Sequence, residues 1–386
     1  MEKVKIMHLI GDLTKGGAER FVVDLCNELA KDNQYEVFLV SICANDEENT
    51  FVKDIHKAVR YVSFNKERGF SLSVFIALTK WLIKANPHVL HSHLNGFEYL
   101  AFFLFVNKNT LCFHTIHNTA VAECPNFLIK SFRKIWYKSN KVNPVTISND
   151  GSKTYRAYYK LNNDILIENG RQDLVTSDAY PLLREKYKET DDNFILVHVG
   201  RIAFEKNQEL LIKAVQQFNA AEEKKCKLII IGEVKDKRLY QHLLAVVNDD
   251  PYIEFVGGKH NVVDYLSIAD AFCLSSIFEG MPISLIEALS IGCMPVCTPV
   301  GGIKQMIKHG KTGFLSKDIS VNGYCDVLKE ALNHPDKKMI KLNGRLFFKL
   351  NYHIQASANA HSRNYSTMLM SGRDSIMKDY QVITKI

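Results

Sequence analysis

The most specific chemical pattern in the chain is the run Phe278-Glu279-Gly280-Met281-Pro282-Ile283-Ser284-Leu285-Ile286-Glu287-Ala288, in which seven residues separate two glutamates. Pro282 suits the first turn of a helix and Gly292 its end. Glu279 then falls in the loop before that helix, and Glu287 on its second turn. Backbone N–H groups from Met281 to Ser284, Pro282 having none, lie free at the helix start and point at the same ligand. Carboxylates accept readily from sugar and ribose hydroxyls. An exposed helical glutamate is the plainer reading of Glu287. Its neighbours Leu285, Ile286, Ala288 and Leu289 are apolar, however, which favours a buried polar contact.

A second constellation is Val199-Gly200-Arg201-Ile202-Ala203-Phe204-Glu205-Lys206-Asn207. It follows a strand, at the carboxyl edge where open α/β sheets bind ligands. Arg201 offers a planar fork and Lys206 a mobile point charge to one anionic group; two solvated loop cations are the alternative. A third, Gly11-Asp12-Leu13-Thr14-Lys15-Gly16-Gly17-Ala18-Glu19-Arg20, leads from a strand into a helix. Gly16 and Gly17 let a ligand approach the backbone, and the helix start favours a diphosphate. It is not the G-x-G-x-x-G fingerprint, and taken alone it is better explained by an ordinary glycine-rich turn.

Histidines form a fourth group: His91, His93, His114 and His117, in two pairs at strand ends. Alternation points His91 and His93 to one side. No carboxylate has matching metal-site spacing and H-E-x-x-H is absent, so no metal is expected. His91 and His114 read as hydrogen-bonded structural histidines. His117 leaves its strand at an expected ligand crevice and reads as a ligand contact.

These residues need a large α/β frame, and the chain provides one. Its 386 residues exceed one ordinary core and predict two domains. With 46% apolar and 24% charged residues it is a folded globular chain, which excludes a disordered one. The net charge of +7 is spread along the sequence, with no stripe for nucleic acid. Nine cysteines sit mostly in apolar runs and read as buried thiols of a reducing compartment. The N-terminus reads as a strand rather than a signal peptide, and no apolar run is long enough to span a bilayer. A cytoplasmic protein, able to lie on the inner face of a membrane, is expected.

Short β-rich runs alternate with helical stretches, predicting parallel sheets covered on both faces. The first set has strands at Lys5–Ile10, Glu36–Ser41, Val89–Ser92, Thr110–Thr115 and Pro144–Ile147. The second runs from strand Phe194–Val199 through helix Pro282–Ile291 to strand Met294–Thr298. Glu168–Leu182 reads as the linker.

Taken together, Gly16-Gly17-Ala18-Glu19-Arg20, His117, Gly200-Arg201 with Lys206, the Glu279…Glu287 run and Pro299-Val300-Gly301-Gly302 resemble the retaining glycosyltransferases of family 4, notably those of bacterial surface polysaccharides. The resemblance covers roughly residues 5–315. It implies the GT-B architecture: two doubly wound Rossmann-like domains facing each other across a cleft. Residues 1–170 would form the acceptor domain and 171–372 the donor domain, with helix 373–386 packing back on the first. It also implies transfer of a hexosyl group, with retained configuration, from a nucleotide-sugar donor to a lipid-linked saccharide acceptor. Arg201 and Lys206 would bind the diphosphate, Glu279 the sugar hydroxyls and Glu287 the ribose. His117 would lie near the transferred sugar, and backbone at Gly280, Met281, Pro282 and Ile283 would hold sugar and phosphate oxygens. Gly16 and Gly17 would approach the donor. No metal or other cofactor is implied. Where the family usually has an acidic residue after Gly301-Gly302-Ile303, this chain has Lys304-Gln305.

Two other readings fit the same architecture: a nucleotide-sugar 2-epimerase, and a non-catalytic nucleotide-sugar binding protein. The segment Phe127–Lys138 adds a possible membrane contact. Leu128, Phe132, Ile135 and Trp136 recur at helical spacing beside Lys130, Arg133, Lys134 and Lys138, a basic amphipathic pattern. The alternative is a core-facing helix with solvated lysines.

Overall fold

The computed structural model describes residues 3–383 apart from 46–49, 68, 108, 190 and 191, with side chains described up to 371. It divides into two compact units, residues 1–170 with 354–386, and Arg171–His353. The linker expectation holds the boundary, at Gly170/Arg171. The second unit, however, ends at His353 rather than 372.

The first unit is a parallel seven-stranded sheet, β1 (Val4–Ile10), β2 (Tyr35–Cys43), β3 (Arg60–Lys66), β4 (Val89–His93), β5 (Leu111–Ile116), β6 (Val142–Thr146) and β7 (Ile165–Leu166), in the order β3-β2-β1-β4-β5-β6-β7. The inner strands are buried along most of their length because helices cover both faces. Strand β3 eluded the sequence reading because it is a half-buried edge strand of mixed polarity. The long helix Ile354–Ile383 returns to this unit well before 373: its Ser362 hydroxyl meets Tyr35 Oη at 2.5 Å, and its Tyr365 hydroxyl meets His91 Nδ1 at 2.6 Å. The side chains of 373–386 lie outside the described residues.

The second unit is a parallel six-stranded sheet, β8 (Phe194–Val199), β9 (Cys226–Ile231), β10 (Ile253–Gly257), β11 (Ala271–Leu274), β12 (Met294–Cys297) and β13 (Phe314–Leu315), in the order β10-β9-β8-β11-β12-β13. Its core packs Leu211, Val215 and Phe218 of one helix against Leu328 and Leu332 of another, over strand residues such as Leu228 and Val296. Helix ends follow local chemistry. Ser71, Asn126, Ser148, Asp236 and Ser320 accept first-turn N–H groups with their side chains. Gly292 ends the Ile283–Ile291 helix at φ 74°, a left-handed turn that suits glycine. The strand order reverses direction between β1 and β4 in one unit, and between β8 and β11 in the other. These switch points are where doubly wound sheets open crevices.

All nine cysteines are free, and all but the half-buried Cys43 are buried. Among the described residues no helix is long and apolar enough to cross a membrane.

Candidate active site

In the second unit the loops after β8 and β11 leave the same switch point, and that brings Lys206 to Glu279. Lys206 Nζ lies 2.5 Å from Glu279 Oε1, which also accepts from Ser276 Oγ at 2.6 Å. Oε2 of Glu279 has no partner among the described residues, so half of this carboxylate remains for a ligand. The two loops are tied together by backbone. Ser275 Oγ donates to the Lys206 and Asn207 carbonyls at 3.0 Å, and the Ile277 N–H donates to Glu205 at 2.9 Å. Asn207 turns the chain at φ 48° into the helix Gln208–Ala221. Arg201 is exposed, and its guanidinium pairs with no described residue.

Close backbone approach explains the glycines. A Cβ on Gly232 would fall 1.9 Å from the Gly200 carbonyl oxygen, and one on Gly301 would fall 1.8 Å from that of Glu279. Gly301 also has φ 48°, and the Gly302 N–H donates to the Gly280 carbonyl at 3.0 Å. The Pro299-Val300-Gly301-Gly302 turn therefore backs the Glu279 loop. Under the loops lies His198, with Nδ1 3.0 Å from the Cys273 carbonyl. Burial brings its pKa down to about 4, against the pull of that carbonyl, so it is neutral.

Glu287 sits on the helix Ile283–Ile291, on the turn the sequence suggested, and is mostly covered rather than exposed. Arg171 Nε donates to its Oε1 at 2.8 Å. Arg171 was absent from the sequence reading, since no local pattern links a residue just after Asn169-Gly170 to one 116 positions on. Gly280, Met281 and Pro282 form the loop before that helix. The N–H groups of Ile283 and Ser284 at its start bond to no described residue, leaving them for an acceptor.

In the first unit Gly16 is the N-cap of the helix Gly17–Leu29, which has no side-chain cap. The Glu19 carboxylate folds back over Gly16, so close that a Cβ there would lie 2.2 Å from its oxygen. This carboxylate already brings negative charge to the helix start, as a reciprocal cap does. Arg20 ion-pairs with Asp24 and Asp54 and stacks over Phe51, binding the following segment to the helix.

His117 stands at the end of β5. Its N–H donates to Glu123 Oε2 at 2.6 Å, and its Nε2 meets His93 Nδ1 at 3.0 Å, while its Nδ1 has no partner. Burial alone would push the Glu123 carboxyl up. The hydrogen bond and charge of His114, with Arg133 and His117, outweigh it and hold Glu123 below its usual range. His91 and His114 are buried and hydrogen-bonded, to Tyr365 and Thr115 and to Ser92 respectively, as expected of structural histidines.

Arg133 departs from the expected surface role. It is 1% exposed and pairs with Glu98 at 2.7 Å and Glu123 at 3.4 Å, inside the unit. A fully buried guanidinium is retained because it satisfies two carboxylates and the Leu94 carbonyl. Helical spacing could not show this, because the partners Glu98 and Glu123 come from other segments. Phe132 and Trp136 also turn inward, whereas Phe127, Leu128 and Ile135 stay exposed.

Both units resemble domains of known proteins. Residues 15–164 match the model of the Glycosyltransferase Family 4 domain and residues 180–345 that of the glycosyl transferases group 1. The capsular polysaccharide biosynthesis glycosyltransferase CapH of Staphylococcus aureus is 23% identical over 91% of this chain and 97% of its own. An α-1,4-N-acetyl-D-galactosaminyltransferase of Campylobacter jejuni, named for a PP-undecaprenol saccharide, is 24% identical over 81% of this chain and 84% of its own. Anabaena HepE, solved with UDP and glucose, superposes with TM-score 0.81 at 15% identity, over 94% of this chain and all of that one, and shows the shared fold. These matches do not favour the epimerase alternative. With glycosyltransferase domain models matching both units, the chain is a glycosyltransferase of GT-B architecture, an enzyme that transfers sugars.

Proposed function

We propose that the enzyme transfers a hexosyl group from a nucleotide-sugar donor to a lipid-linked saccharide, with retention of configuration, in the biosynthesis of a surface polysaccharide. The observation that carries the donor assignment is the Lys206–Glu279 pair beside the uncapped helix start at Ile283 and the unpaired guanidinium of Arg201. Arg201 and Lys206 bind the diphosphate and stabilise the charge that develops as the nucleotide departs. Preorganised cations and N–H dipoles in such a place supply several kcal/mol. Glu279 accepts from sugar hydroxyls through Oε2. Glu287, oriented by Arg171, accepts from ribose. His117 contacts the transferred sugar, and Gly16 and Gly17 approach the donor, with the Glu19 carboxylate displaced from Gly16.

These fixed positive groups take the part of a divalent ion, and the reaction runs without one. The Campylobacter relative's undecaprenol-linked saccharide supports a lipid-linked acceptor. So does an exposed apolar surface on the first unit. Phe102 and Phe105 of one helix and Phe127, Leu128 and Ile135 of another are all at least half exposed, and Phe105 lies 4.8 Å from Trp136 between ring centres. Lys138 and Lys141 flank it. Each cation near an anionic surface contributes about 1 kcal/mol, weakened by salt. The enzyme accordingly works in the cytoplasm, against the inner face of the membrane.

A thermal-shift screen of UDP- and GDP-sugars tests the donor reading, because a ligand bound to the native state raises its melting temperature. Stabilisation by no nucleotide sugar would refute it. Stabilisation with release of an epimer, or with no turnover on any polyprenyl-diphosphate saccharide, would return the epimerase or the binding protein. Transfer that survives excess chelator supports the metal-free route, and loss restored only by a divalent ion refutes it. Co-sedimentation with anionic vesicles at low salt, lost in Phe105→Ser with Leu128→Ser, is expected of the membrane contact.

A further inference from the structure

The first unit buries a cluster of histidines, and their arrangement is ordered. His8 on β1 was not singled out from the sequence, although it interrupts the apolar run Ile6–Ile10. Its Nδ1 lies 3.0 Å from His93 Nε2, and His93 Nδ1 lies 3.0 Å from His117 Nε2. Three imidazoles thus form one hydrogen-bonded chain whose free ends are His8 Nε2 and His117 Nδ1. Both end atoms are shielded from solvent and without a partner.

Burial keeps the chain neutral. It brings His8 to about 3, with the nearby His361 adding to the effect. It holds His93 well below its ordinary value, with His91 and His117 adding to it, and brings His117 to about 4 against the attraction of Glu123. A neutral imidazole has one N–H and one bare nitrogen. Each of the two links therefore needs one proton from one of its rings. If His8 donates to His93, then His93 must donate to His117, and His117 keeps its proton on Nδ1. If His117 donates to His93, every link reverses, and His117 Nδ1 is bare. A mixed arrangement would leave His93 with no proton or with two. Only two arrangements survive: all three rings protonated on Nδ1, or all three on Nε2.

We propose that His93 and His8 are positioning residues that set whether the free Nδ1 of His117 donates or accepts toward a ligand. The proposal rests on the reading that His117 contacts the transferred sugar. A sugar hydroxyl accepts in the first arrangement and donates in the second. The main chain of His117 is fixed as well, since its N–H is held by Glu123, itself tied to Arg133. Ring and backbone are both held, and only the buried, unpartnered Nδ1 is left to act.

A metal site is the competing use of this cluster, because one nitrogen each of His8, His91 and His93 lies within 4.8 Å of the others. Their rings are stacked, however, at 13° between His91 and His93, 18° between His8 and His93 and 24° between His8 and His91. Stacked rings direct their lone pairs side by side, whereas zinc needs them converging at about 2.0–2.1 Å. Both nitrogens of His91 are also already engaged, by Tyr365 and Thr115.

Histidine-selective 15N labelling of the full chain, with long-range proton–nitrogen correlation spectra assigned by single substitutions, reads the tautomer of each ring. At neutral pH the three rings must share one tautomer, and different tautomers among them, or a protonated ring, would overturn the proposal. The coupling is tested by a cycle. His8→Leu, two hydrogen bonds from His117, shifts the His117 nitrogen resonances, and the same change made in a His93→Leu background leaves them still. Equal shifts in both backgrounds would mean general repacking and would overturn it. Added zinc that binds and moves His8, His91 and His93 together would do the same. UDP-glucose and GDP-mannose are then added singly. A shared tautomer whose His117 signals respond to neither, while either nucleotide sugar raises the melting temperature, keeps the chain but removes His117 from the sugar site.

Discussion

Lys206 and Glu279 meet at 2.5 Å although 73 positions separate them, because β8 and β11 lie side by side where the strand order of the second unit reverses. The pair fixes a cation and a carboxylate side by side, where the proposed donor would engage both. Ser276 and the Gly301 turn hold the carboxylate from behind.

Glu279→Gln keeps the size of the side chain and removes its charge. Transfer is expected to fall by at least about 2 kcal/mol in activation free energy, the scale of one lost polar catalytic contact. Steady-state rates at saturating donor, with circular dichroism to verify folding, check it. Near-normal turnover would refute the assignment.

Arg201→Ala and Lys206→Ala are each expected to weaken nucleoside diphosphate binding and slow transfer. Their effects on stability should differ. Arg201 is exposed and unpaired, so its loss leaves the melting temperature unchanged, while Lys206→Ala deprives Glu279 of its counter-charge. Calorimetry with UDP and GDP reads the affinities. Unchanged affinity in both variants would mean that these cations do not bind phosphate.

Gly301→Ala places a methyl group against the Glu279 carbonyl, at a left-handed φ. A loss of about 1–3 kcal/mol is expected from backbone strain, with a larger loss of transfer than of stability, because the displaced loop holds Glu279. Urea unfolding and rate measurements separate the two. A variant with wild-type rate would show that the turn does not support the loop.

Arg133→Met removes the cation from a buried network and leaves the Glu98 and Glu123 carboxylates without it. Breaking such a pair costs about 3–5 kcal/mol. Urea titration of this variant beside Lys138→Met, an exposed control, checks it. Equal stability of the two would contradict a structural role for Arg133.

Acid should destabilise the first unit through its histidines. Burial holds His8, His117 and His361 at about 3 to 4, below the ordinary 6.5, with His361 and His114 adding to the effect and Glu123 opposing it at His117. The unfolded chain then binds protons that the folded one does not. Stability is therefore full above about pH 7 and falls as pH drops from 6.5 toward 4. Each group contributes up to about 1.4 kcal/mol per pH unit in that window. Urea midpoints at pH 7 and 5 test it, and His8→Leu should flatten the slope.

The sequence by itself determined the alternation of strands and helices, the loop position of Glu279, the helical position of Glu287 and the glycine stop at 292. Each is a matter of local periodicity, cap chemistry or φ preference, all contained within a dozen neighbouring residues. The edge strand β3 escaped because half-buried residues of mixed polarity give no clean alternation. Tertiary structure alone decided who partners whom. It closed Lys206 on Glu279 and Arg171 on Glu287. It buried Arg133 where helical spacing had set it on a surface, and it strung His8, His93 and His117 into one chain. Those pairings depend on strand order and on the lateral spacing of parallel strands, which bring distant residues to hydrogen-bond distance and leave no mark on the residues between them.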